Sequence, residues 1–325
     1  MAGPGGLPIL GVTLPQFSAE PGPALAACRD AHRLGFGGAF VFDHLWPLGA
    51  AGRPALEGWT LLAALAAEVG HQPDGAGGFR VGTLVTRAGL RAPALVARMA
   101  ATVGEVAGVP AVIGVGRGDP DNRDENLAYG LPFPGPAERS RAVADTVAAL
   151  RGPLAGSPAP EVWVGGVGAG GQELAGRLAD AWNGWARTPE ELAAGLAAVR
   201  RAAERAGRDP AGVAGTWGGQ VLVAPELREA EARLARWGEG RPSGEAARVL
   251  AGDPGTVTAR LRALADAGAA WCVVAFVGGP AAEMRALLAD AAGLGGRVEV
   301  ERETNSDASE KAPAIGGRRH CEQET

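Results

Sequence analysis

The sequence is short of several residue types, and each shortage excludes a class of protein. Lys311 is the single lysine among 31 basic residues, and the arginines are scattered along the chain instead of forming runs. A clustered basic surface of the kind that binds nucleic acid is therefore not predicted.

Cysteines and long apolar runs are equally scarce. Cys28, Cys272 and Cys321 show neither paired nor CxxC spacing, so neither a disulfide framework nor a thiolate metal site is indicated. No apolar run approaches the roughly 18 residues of a membrane helix, and Met1–Pro8 lacks the pattern of a signal peptide. We expect a cytoplasmic protein that holds no metal and does not span a membrane.

What the sequence does contain is enough for a large core. Hydrophobic residues make up 46% of the 325 residues and charged residues 21%, with a formal net charge of −5. This composition is typical of a soluble globular chain and not of a disordered one.

Short apolar runs alternate with longer alanine- and leucine-rich segments from Ile9 onward, which is typical of repeated βα units. The predicted strands are Ile9–Leu14, Gly38–Phe42, Arg80–Val85, Ala111–Val115, Glu161–Gly165, Asp180–Asn183, Thr216–Val223 and Trp271–Phe276. Helices are predicted between them, including two pieces within Glu226–Ala251. Eight strands each followed by a helix favour the α/β class and a closed (β/α)8 TIM barrel. The alternative is an open doubly wound sheet with a second domain.

The end of the chain differs from the rest. Residues 298–325 are polar, mixed in charge and without periodicity, which predicts a disordered tail behind a single barrel domain of residues 1–297. His320 and Cys321 fall in this tail and are poor candidates for chemistry.

In such a barrel the active site lies at the carboxyl ends of the strands, so polar residues there are the candidates. After strand two, Phe42 leads directly into Asp43 and His44. An imidazole titrates near neutral pH and can donate or accept a proton, and a neighbouring carboxylate can hold a cofactor edge. The alternative interpretation is a loop aspartate that caps the next helix beside an ordinary histidine.

Two further candidates belong to strands three and four. Thr83 and Thr86 can hydrogen-bond a ring carbonyl or a phosphate, although β-branched residues are also ordinary in strands. After strand four, Gly116 begins a loop that contains Asp119, a second proton-transfer group, and Asn122, an amide hydrogen-bonding group. A plain Gly/Asp/Pro turn has a similar sequence.

Glycines dominate the fourth candidate, which follows strand five at residues 165–171. Backbone N–H groups at the start of the next helix predict a phosphate cradle. The spacing of Gly166, Gly168 and Gly171 also matches the dinucleotide fingerprint, so an NAD-dependent dehydrogenase is an alternative. This match lies mid-chain, however, whereas the fingerprint usually stands in the first βαβ unit.

Together these motifs resemble the luciferase-like monooxygenase superfamily, and within it the branch that uses the deazaflavin coenzyme F420. The similarity extends from residue 9 to about residue 297. It rests on the Asp43-His44 pair, residues 82–86, residues 116–119, the run at 125–133, the Gly165-Gly166 turn and residues 181–185.

The resemblance implies a role for each matched residue. His44 would handle a proton near the reactive carbon of the deazaflavin, and Asp119 stands where a relative has a glutamate as acid/base. Cofactor contacts are implied for Asp43, Thr83, Leu84, Thr86, Gly116, Asn122, Gly165, Gly166 and Val167. The family often has a non-proline cis peptide bond at the end of strand three, which in this chain is expected near Thr83-Leu84.

The reaction implied is hydride transfer between coenzyme F420 and an unidentified small organic substrate, in a protein that is expected to form a homodimer. One alternative is an FMN-dependent monooxygenase of the same fold, although such relatives more often carry a glutamate-histidine-histidine run where this chain has Asp43-His44-Leu45. Another is a barrel that binds a flavin or deazaflavin without catalysing a reaction.

Overall fold

A computed structural model describes residues 6–47, 50–71, 78–156, 159–242 and 244–297. Its strands in these ranges are β1 Ile9–Thr13, β2 Gly38–Val41, β3 Arg80–Arg87, β4 Val112–Gly116, β5 Glu161–Gly165, β6 Ala181–Trp185, β7 Ala214–Val223, β8 Leu250–Gly252 and β9 Ala269–Phe276. The helices are α1 Gly22–Arg33, α2 Gly58–Gly70, α3 Pro93–Ala107, α4 Asn122–Ala128, α5 Pro136–Arg151, α6 Ala169–Leu178, α7 Pro189–Arg205, α8 Leu227–Gly238, α9 Pro254–Asp266 and α10 Ala281–Ala291.

The strands close into a barrel. Their order is β6-β5-β4-β3-β2-β1-β9-β7, all pairs are parallel, and β6 also pairs with β7 to complete a ring of eight. The helices surround this ring, as expected when parallel strands are joined by crossover helices. The predicted (β/α)8 barrel is confirmed.

One strand, β8, is not among those predicted from the sequence. The second helical piece predicted within Glu226–Ala251 is instead a short 3₁₀ turn, Ala246–Arg248, that leads into β8. The reason lies in β7, which extends beyond the last residue of β6: Trp185 pairs with Gly218, whereas β7 continues to Val223. Its final residues pair with β8, which gives their backbone groups hydrogen-bonding partners.

Helix α4 falls in a stretch for which the sequence predicts a loop. Its buried residues are Asn122, Glu125 and Asn126, all of them polar. A helix whose inner face is polar leaves no hydrophobic period to detect, so sequence periodicity could not reveal it.

Three large rings fill the middle of the barrel. Phe40 stacks on Trp163 with ring centroids 5.4 Å apart, and Trp271 lies edge-on to both at 6.0 and 5.7 Å. The interior is therefore a packed core, and a ligand can enter only at the ends of the strands.

A non-proline cis peptide bond joins Leu84 to Val85, one bond after the position that the sequence resemblance predicts. It lies where the register of β3 against β4 shifts between Thr83 and Thr86. The predicted tail at residues 298–325, with His320 and Cys321, lies outside the described residues, and the domain boundary at residue 297 stays a prediction.

Candidate active site

The loop after β2 is held by a buried aspartate. The carboxylate of Asp43 accepts hydrogen bonds from the Thr86 hydroxyl at 2.6 Å, the Arg87 backbone N–H at 3.2 Å and both terminal nitrogens of Arg91 at 2.7 and 3.2 Å. Arg91 also pairs with Glu57, the residue that caps α2, at 2.5 Å. Asp43 is thus saturated by donors of its own chain, and a cofactor contact for it stays a prediction.

Arg87 connects this loop to α4. Its Nε donates to the Asp43 carbonyl at 2.9 Å, and its Nη1 donates to Asn126 at 2.8 Å and lies 3.1 Å from Glu125. Arg87 thus ties the loop after β2, through the Asp43 carbonyl, to Asn126 and Glu125 on α4. Its ion pair with Glu125 is buried on both sides, so losing either partner would be costly.

His44 stands at the edge of this unit. Its side chain is 18% exposed, and its Nδ1 lies 3.4 Å from Oε2 of Glu125. The other oxygen of Glu125 accepts hydrogen bonds from the backbone N–H groups of Leu45 and Trp46, the first of them a short contact. Glu125 therefore holds both the imidazole and the backbone that follows it.

Glu125 is ionised in this environment. Burial raises the pKa of its carboxyl group, but the hydrogen bonds from His44 and the Leu45 N–H, together with the positive charge of Arg87, outweigh burial and hold the pKa below its ordinary value. A carboxylate in this state only accepts hydrogen bonds, which restricts the ring nitrogen that faces it.

An aromatic wall, which we define as Phe17, Phe42, His44 and Trp185, crosses the mouth of the barrel. Phe17 stacks on Phe42 at 5.9 Å, and His44 lies 6.4 Å from each of these rings. Phe42 follows β2 and meets the edge of Trp185, at the end of β6, at 5.8 Å. Because β2 and β6 lie on opposite sides of the barrel, the wall spans the opening.

Gln16 fixes the position of this wall. Its side-chain amide donates to the Phe42 carbonyl at 2.9 Å, and its oxygen accepts from the Phe42 N–H at 2.7 Å. This pair of bonds ties the loop after β1, which carries Phe17, to the end of β2. Phe17 remains 38% exposed, so its ring is available to a ligand.

A glycine cradle lies beside the wall, at the ends of β3, β4 and β5. We define it as Gly114, Gly116, Gly165 and the turn 166–168 around the side chain of Val85. A Cβ atom on Gly116 would lie 2.5 Å from a Val85 methyl group, and one on Gly165 would lie 3.0 Å away. The missing side chains of these glycines thus make room for Val85, which packs over their backbone and stays partly exposed, so that its methyl groups offer a surface to a flat ring.

The outer end of the cradle is positively charged. Helix α6 begins at Ala169, and its cap residue Gly168 makes no side-chain capping bond. A Cβ on Gly170 would lie 3.0 Å from Nη1 of Arg117, so this guanidinium sits against the first turn of α6. A helix N-terminus beside an arginine is a suitable site for a phosphate.

Two further arginine nitrogens nearby are unpartnered. Among the described residues, Nη2 of Arg87 and Nε of Arg139 are buried without a hydrogen-bond acceptor. Both side chains line a small pocket with Arg117 and Phe133, behind the β3 and β4 loops. Unpaired buried donors are costly, so this end of the site favours an anionic ligand.

The structure brings together only part of the set predicted from sequence. His44 and Asn122 meet at Glu125, Thr86 meets Asp43, and Gly116 and Gly165 meet at Val85. The other members make separate contacts: the Thr83 hydroxyl is buried and donates to the carbonyl of Gly114 in the cradle, Leu84 packs inside the barrel, and Gly166, with a φ of +139°, and the 41% exposed Val167 belong to the turn of the cradle.

Asp119 does not join this cluster. It is exposed, and its backbone N–H donates to the Asn122 side chain at 2.7 Å. The acid that contacts His44 is Glu125, which sequence reasoning did not single out. Its position three residues after Asn122 on α4 would have placed both on one helix face, had the helix been recognised.

The described ranges contain neither a metal-binding cluster nor a membrane-spanning helix. No group of three or more histidine, cysteine, aspartate or glutamate residues there is arranged to hold a metal ion. None of the helices there combines the length and the apolar character that crossing a bilayer requires.

A family model described as luciferase-like monooxygenase matches residues 10–295. The chain belongs to the luciferase-like monooxygenase family. This match covers the barrel with both the aromatic wall and the glycine cradle, and it identifies the chain as a luciferase-like oxidoreductase. The family resemblance predicted from the sequence is confirmed.

Curated relatives match over part of their length. A phthiodiolone/phenolphthiodiolone dimycocerosates ketoreductase from Mycobacterium sp. (strain JLS) is 33% identical over 178 residues, covering 48% of this chain and 45% of the relative. A protein of the same name from Mycobacterium tuberculosis (strain ATCC 25618 / H37Rv) is 32% identical over 177 residues, covering 47% and 44%. The matched region thus spans about half the length of these relatives.

Several solved structures share the fold. An F420-dependent secondary alcohol dehydrogenase in complex with an F420-acetone adduct matches with a TM-score of 0.72 at 16% identity, covering 89% of this chain and 99% of that one. The coenzyme F420 dependent tetrahydromethanopterin reductase from Methanopyrus kandleri matches at 0.67 and 19%, covering 87% and 97%. EDTA monooxygenase from Chelativorans sp. BNC1 matches at 0.71 and 14%, covering 89% and 94%.

Proposed function

We propose that this chain is an F420-dependent oxidoreductase that transfers a hydride between the deazaflavin and a small organic substrate. The observation that carries the proposal is the pairing of a glycine cradle with an aromatic wall that presents an imidazole. The cradle suits a flat cofactor with an anionic end. The wall with its imidazole suits an organic molecule whose oxygen gains or loses a proton.

The cradle has the features that such a cofactor requires. Val85 would support the ring system, while the backbone of Gly165, Gly166 and Val167 and the guanidinium of Arg117 would hold the phosphate. The unpartnered nitrogens of Arg87 and Arg139 add positive charge where the anionic part of a ligand would lie. When bound, the deazaflavin supplies the hydride chemistry, which no side chain of the protein can provide.

The aromatic wall would contact the substrate on the exposed face of the cofactor ring. Phe17, Phe42 and Trp185 exclude water from the substrate and orient it, and the half-buried His44 exchanges a proton with the substrate oxygen. Removing that proton from an alcohol, or delivering it to a carbonyl, accompanies hydride transfer in the oxidative or reductive direction.

The comparisons support this assignment but do not identify the substrate. Two of the similar structures are named as F420-dependent enzymes, and the curated relatives are named as ketoreductases, which act on carbonyl groups. A cytoplasmic location, expected from the sequence, and a homodimer, implied by the family resemblance, belong to the same proposal.

One rival has an observation in its favour. The family model is described as a monooxygenase, and the structure of EDTA monooxygenase is nearly as similar as that of the alcohol dehydrogenase. FMN also carries a flat ring and a phosphate, so the cradle suits it as well.

A side-by-side titration separates the two. The full-length protein is titrated with F420 and with FMN while tryptophan fluorescence is followed, because Trp185 lies in the wall and reports on a bound ring. We expect saturable quenching by F420 at concentrations where FMN gives none, and F420-dependent turnover of some alcohol or ketone in a panel. Tighter binding of FMN would contradict the proposal and support a monooxygenase.

A further inference from the structure

We propose that Glu125 is the positioning residue that fixes His44 in the tautomer with its proton on Nδ1, which leaves Nε2 free for the substrate oxygen. The location of the proton follows from the protein alone. The consequence for substrate chemistry rests on the proposed function.

The two oxygens of Glu125 have separate tasks. Oε1 accepts from the backbone N–H groups of Leu45 and Trp46 and fixes the loop that follows His44. Oε2 lies 3.4 Å from Nδ1 of His44 and 3.1 Å from Nη1 of Arg87. One carboxylate therefore sets the position of the histidine backbone and the orientation of its ring together.

Every neighbour of Oε2 can act as a donor. Arg87 has no acceptor atom on its side chain, and the Asn122 amide nitrogen approaches Oε2 at 3.4 Å. Glu125 is fully buried, so water does not compete for this oxygen. The stable arrangement is a protonated Nδ1 that faces an ionised carboxylate, since a bare Nδ1 would place two acceptors against each other.

The ring is also held by contacts on its sides. His44 lies beside the stacked pair of Phe17 and Phe42, 6.4 Å from each ring. At the end of α4, the Tyr129 hydroxyl donates to the Leu45 carbonyl, with the two oxygens 3.3 Å apart. With Nδ1 engaged, Nε2 is the nitrogen left to act as an acceptor. It takes the proton of a substrate hydroxyl as the hydride leaves the adjacent carbon, and it returns that proton to a carbonyl oxygen in the reverse direction.

The tautomer can be read directly from the imidazole ¹⁵N shifts of the full-length protein without added cofactor. His44 signals are assigned by their absence in His44→Gln. We expect the proton on Nδ1 in the unaltered protein. A proton on Nε2 there would overturn the proposal, whether or not any variant folds.

Glu125→Gln supplies the second arm. If the glutamine oxygen stays with the Leu45 and Trp46 N–H groups, its NH₂ group faces Nδ1 of His44, so we expect the ring proton to move to Nε2. Turnover with F420 should fall about a hundredfold while F420 affinity stays within twofold, because a ring with its proton on Nε2 no longer accepts one there. A variant whose glutamine nitrogen faces Nδ1 and which nevertheless keeps the Nδ1 proton would overturn the assignment.

The matched control is Asn126→Ala, on the same helix. Asn126 bonds Arg87 and the Pro132 carbonyl, so its loss loosens the same network away from the imidazole. We expect its His44 tautomer to match that of the unaltered protein. If both variants shift the tautomer alike, Glu125 acts only through the structure of the loop, and the proposal fails. Absence of any F420 turnover would contradict the proposed function but leave the tautomer result valid.

Discussion

The two sides of the barrel mouth are built on opposite principles. The glycine cradle at the ends of β3, β4 and β5 is built mainly from residues without side chains, which leaves room for the methyl groups of Val85. The aromatic wall between β2 and β6 is formed by large rings around one imidazole. We expect the cradle to bind the ring of the cofactor through its shape, and the wall to contact the organic substrate.

The largest effect should come from the wall. His44→Ala removes the proton-transfer group and should lower kcat by about 10²- to 10⁴-fold, with F420 affinity unchanged because the cradle is intact. His32→Ala is the matched control. His32 lies on α1, away from the mouth of the barrel, and its ring packs against that of Phe79 with centroids 5.0 Å apart. Steady-state kinetics with a fluorescence titration measures both. Loss of F420 affinity in His44→Ala would erase the distinction between the two regions.

The next effect concerns the charged network behind the wall. Asp43→Ala leaves Arg91 with the partly exposed Glu57 as its carboxylate partner and removes the buried acceptor of the Thr86 hydroxyl, and it should lower the free energy of unfolding by about 3 kcal/mol. Glu105→Ala breaks an exposed ion pair with Arg98 and should change the free energy of unfolding by under about 1 kcal/mol. Urea unfolding measures both, and equal losses would show that the buried network does not hold this loop.

A smaller effect should come from filling the cradle. Gly165→Ala adds a Cβ 3.0 Å from a Val85 methyl group and should weaken F420 binding about tenfold or more, equivalent to at least about 1.4 kcal/mol. Gly212→Ala is the control: it lies in the turn Pro210–Gly212 before β7, at the other end of the barrel, where an added Cβ would meet nothing closer than 3.9 Å, and it should bind nearly as the unaltered protein does. Isothermal titration calorimetry measures the F420 affinity of both variants. Equal binding by both variants would contradict the cradle as the cofactor site.

The exposed ring of the wall should affect the substrate alone. Phe17→Ala removes the 38% exposed ring that stacks on Phe42 and should raise KM for the organic substrate several-fold, about 1 kcal/mol in binding. F420 affinity should not change. A rise in the dissociation constant of F420 equal to the rise in KM would place the cofactor against the wall instead.

The smallest effect is a pH dependence of stability. The pKa of Glu125 is held below its ordinary value of 4.5 in the folded protein, so its ionised form stabilises the fold. That stabilisation is fully present above about pH 4.5 and is lost as the pH falls through the lowered folded pKa. Melting temperatures between pH 6 and about pH 3 should therefore fall less steeply for Glu125→Gln. An unchanged slope would show that the carboxylate contributes nothing.

The cradle is the part of the site that the sequence predicts well. Glycines at the ends of successive predicted strands must meet at one end of a parallel barrel, so Gly116 and Gly165 can be grouped from their places in the chain alone. Asp43 and His44 are found in the same way. The eight barrel strands are also predicted, with ends displaced by up to two residues.

The network behind the wall could not be predicted, for a physical reason. His44 and Glu125 are 81 positions apart, and Glu125 lies on the polar inner face of a seven-residue helix without hydrophobic period. Asp119, by contrast, has the expected chemistry but an exposed position. Local patterns show which residue types follow a strand; they do not show which of two nearby acids turns towards the histidine.

A crystal structure of the protein with F420 would locate the cofactor in the mouth of the barrel. We expect the deazaflavin ring to lie on Val85 beside Gly116 and Gly165, with its phosphate at Arg117 and the first turn of α6, and His44 to face its exposed side. A ring packed against Phe17 and Trp185, with the cradle empty, would contradict the division of the mouth into a cofactor side and a substrate side.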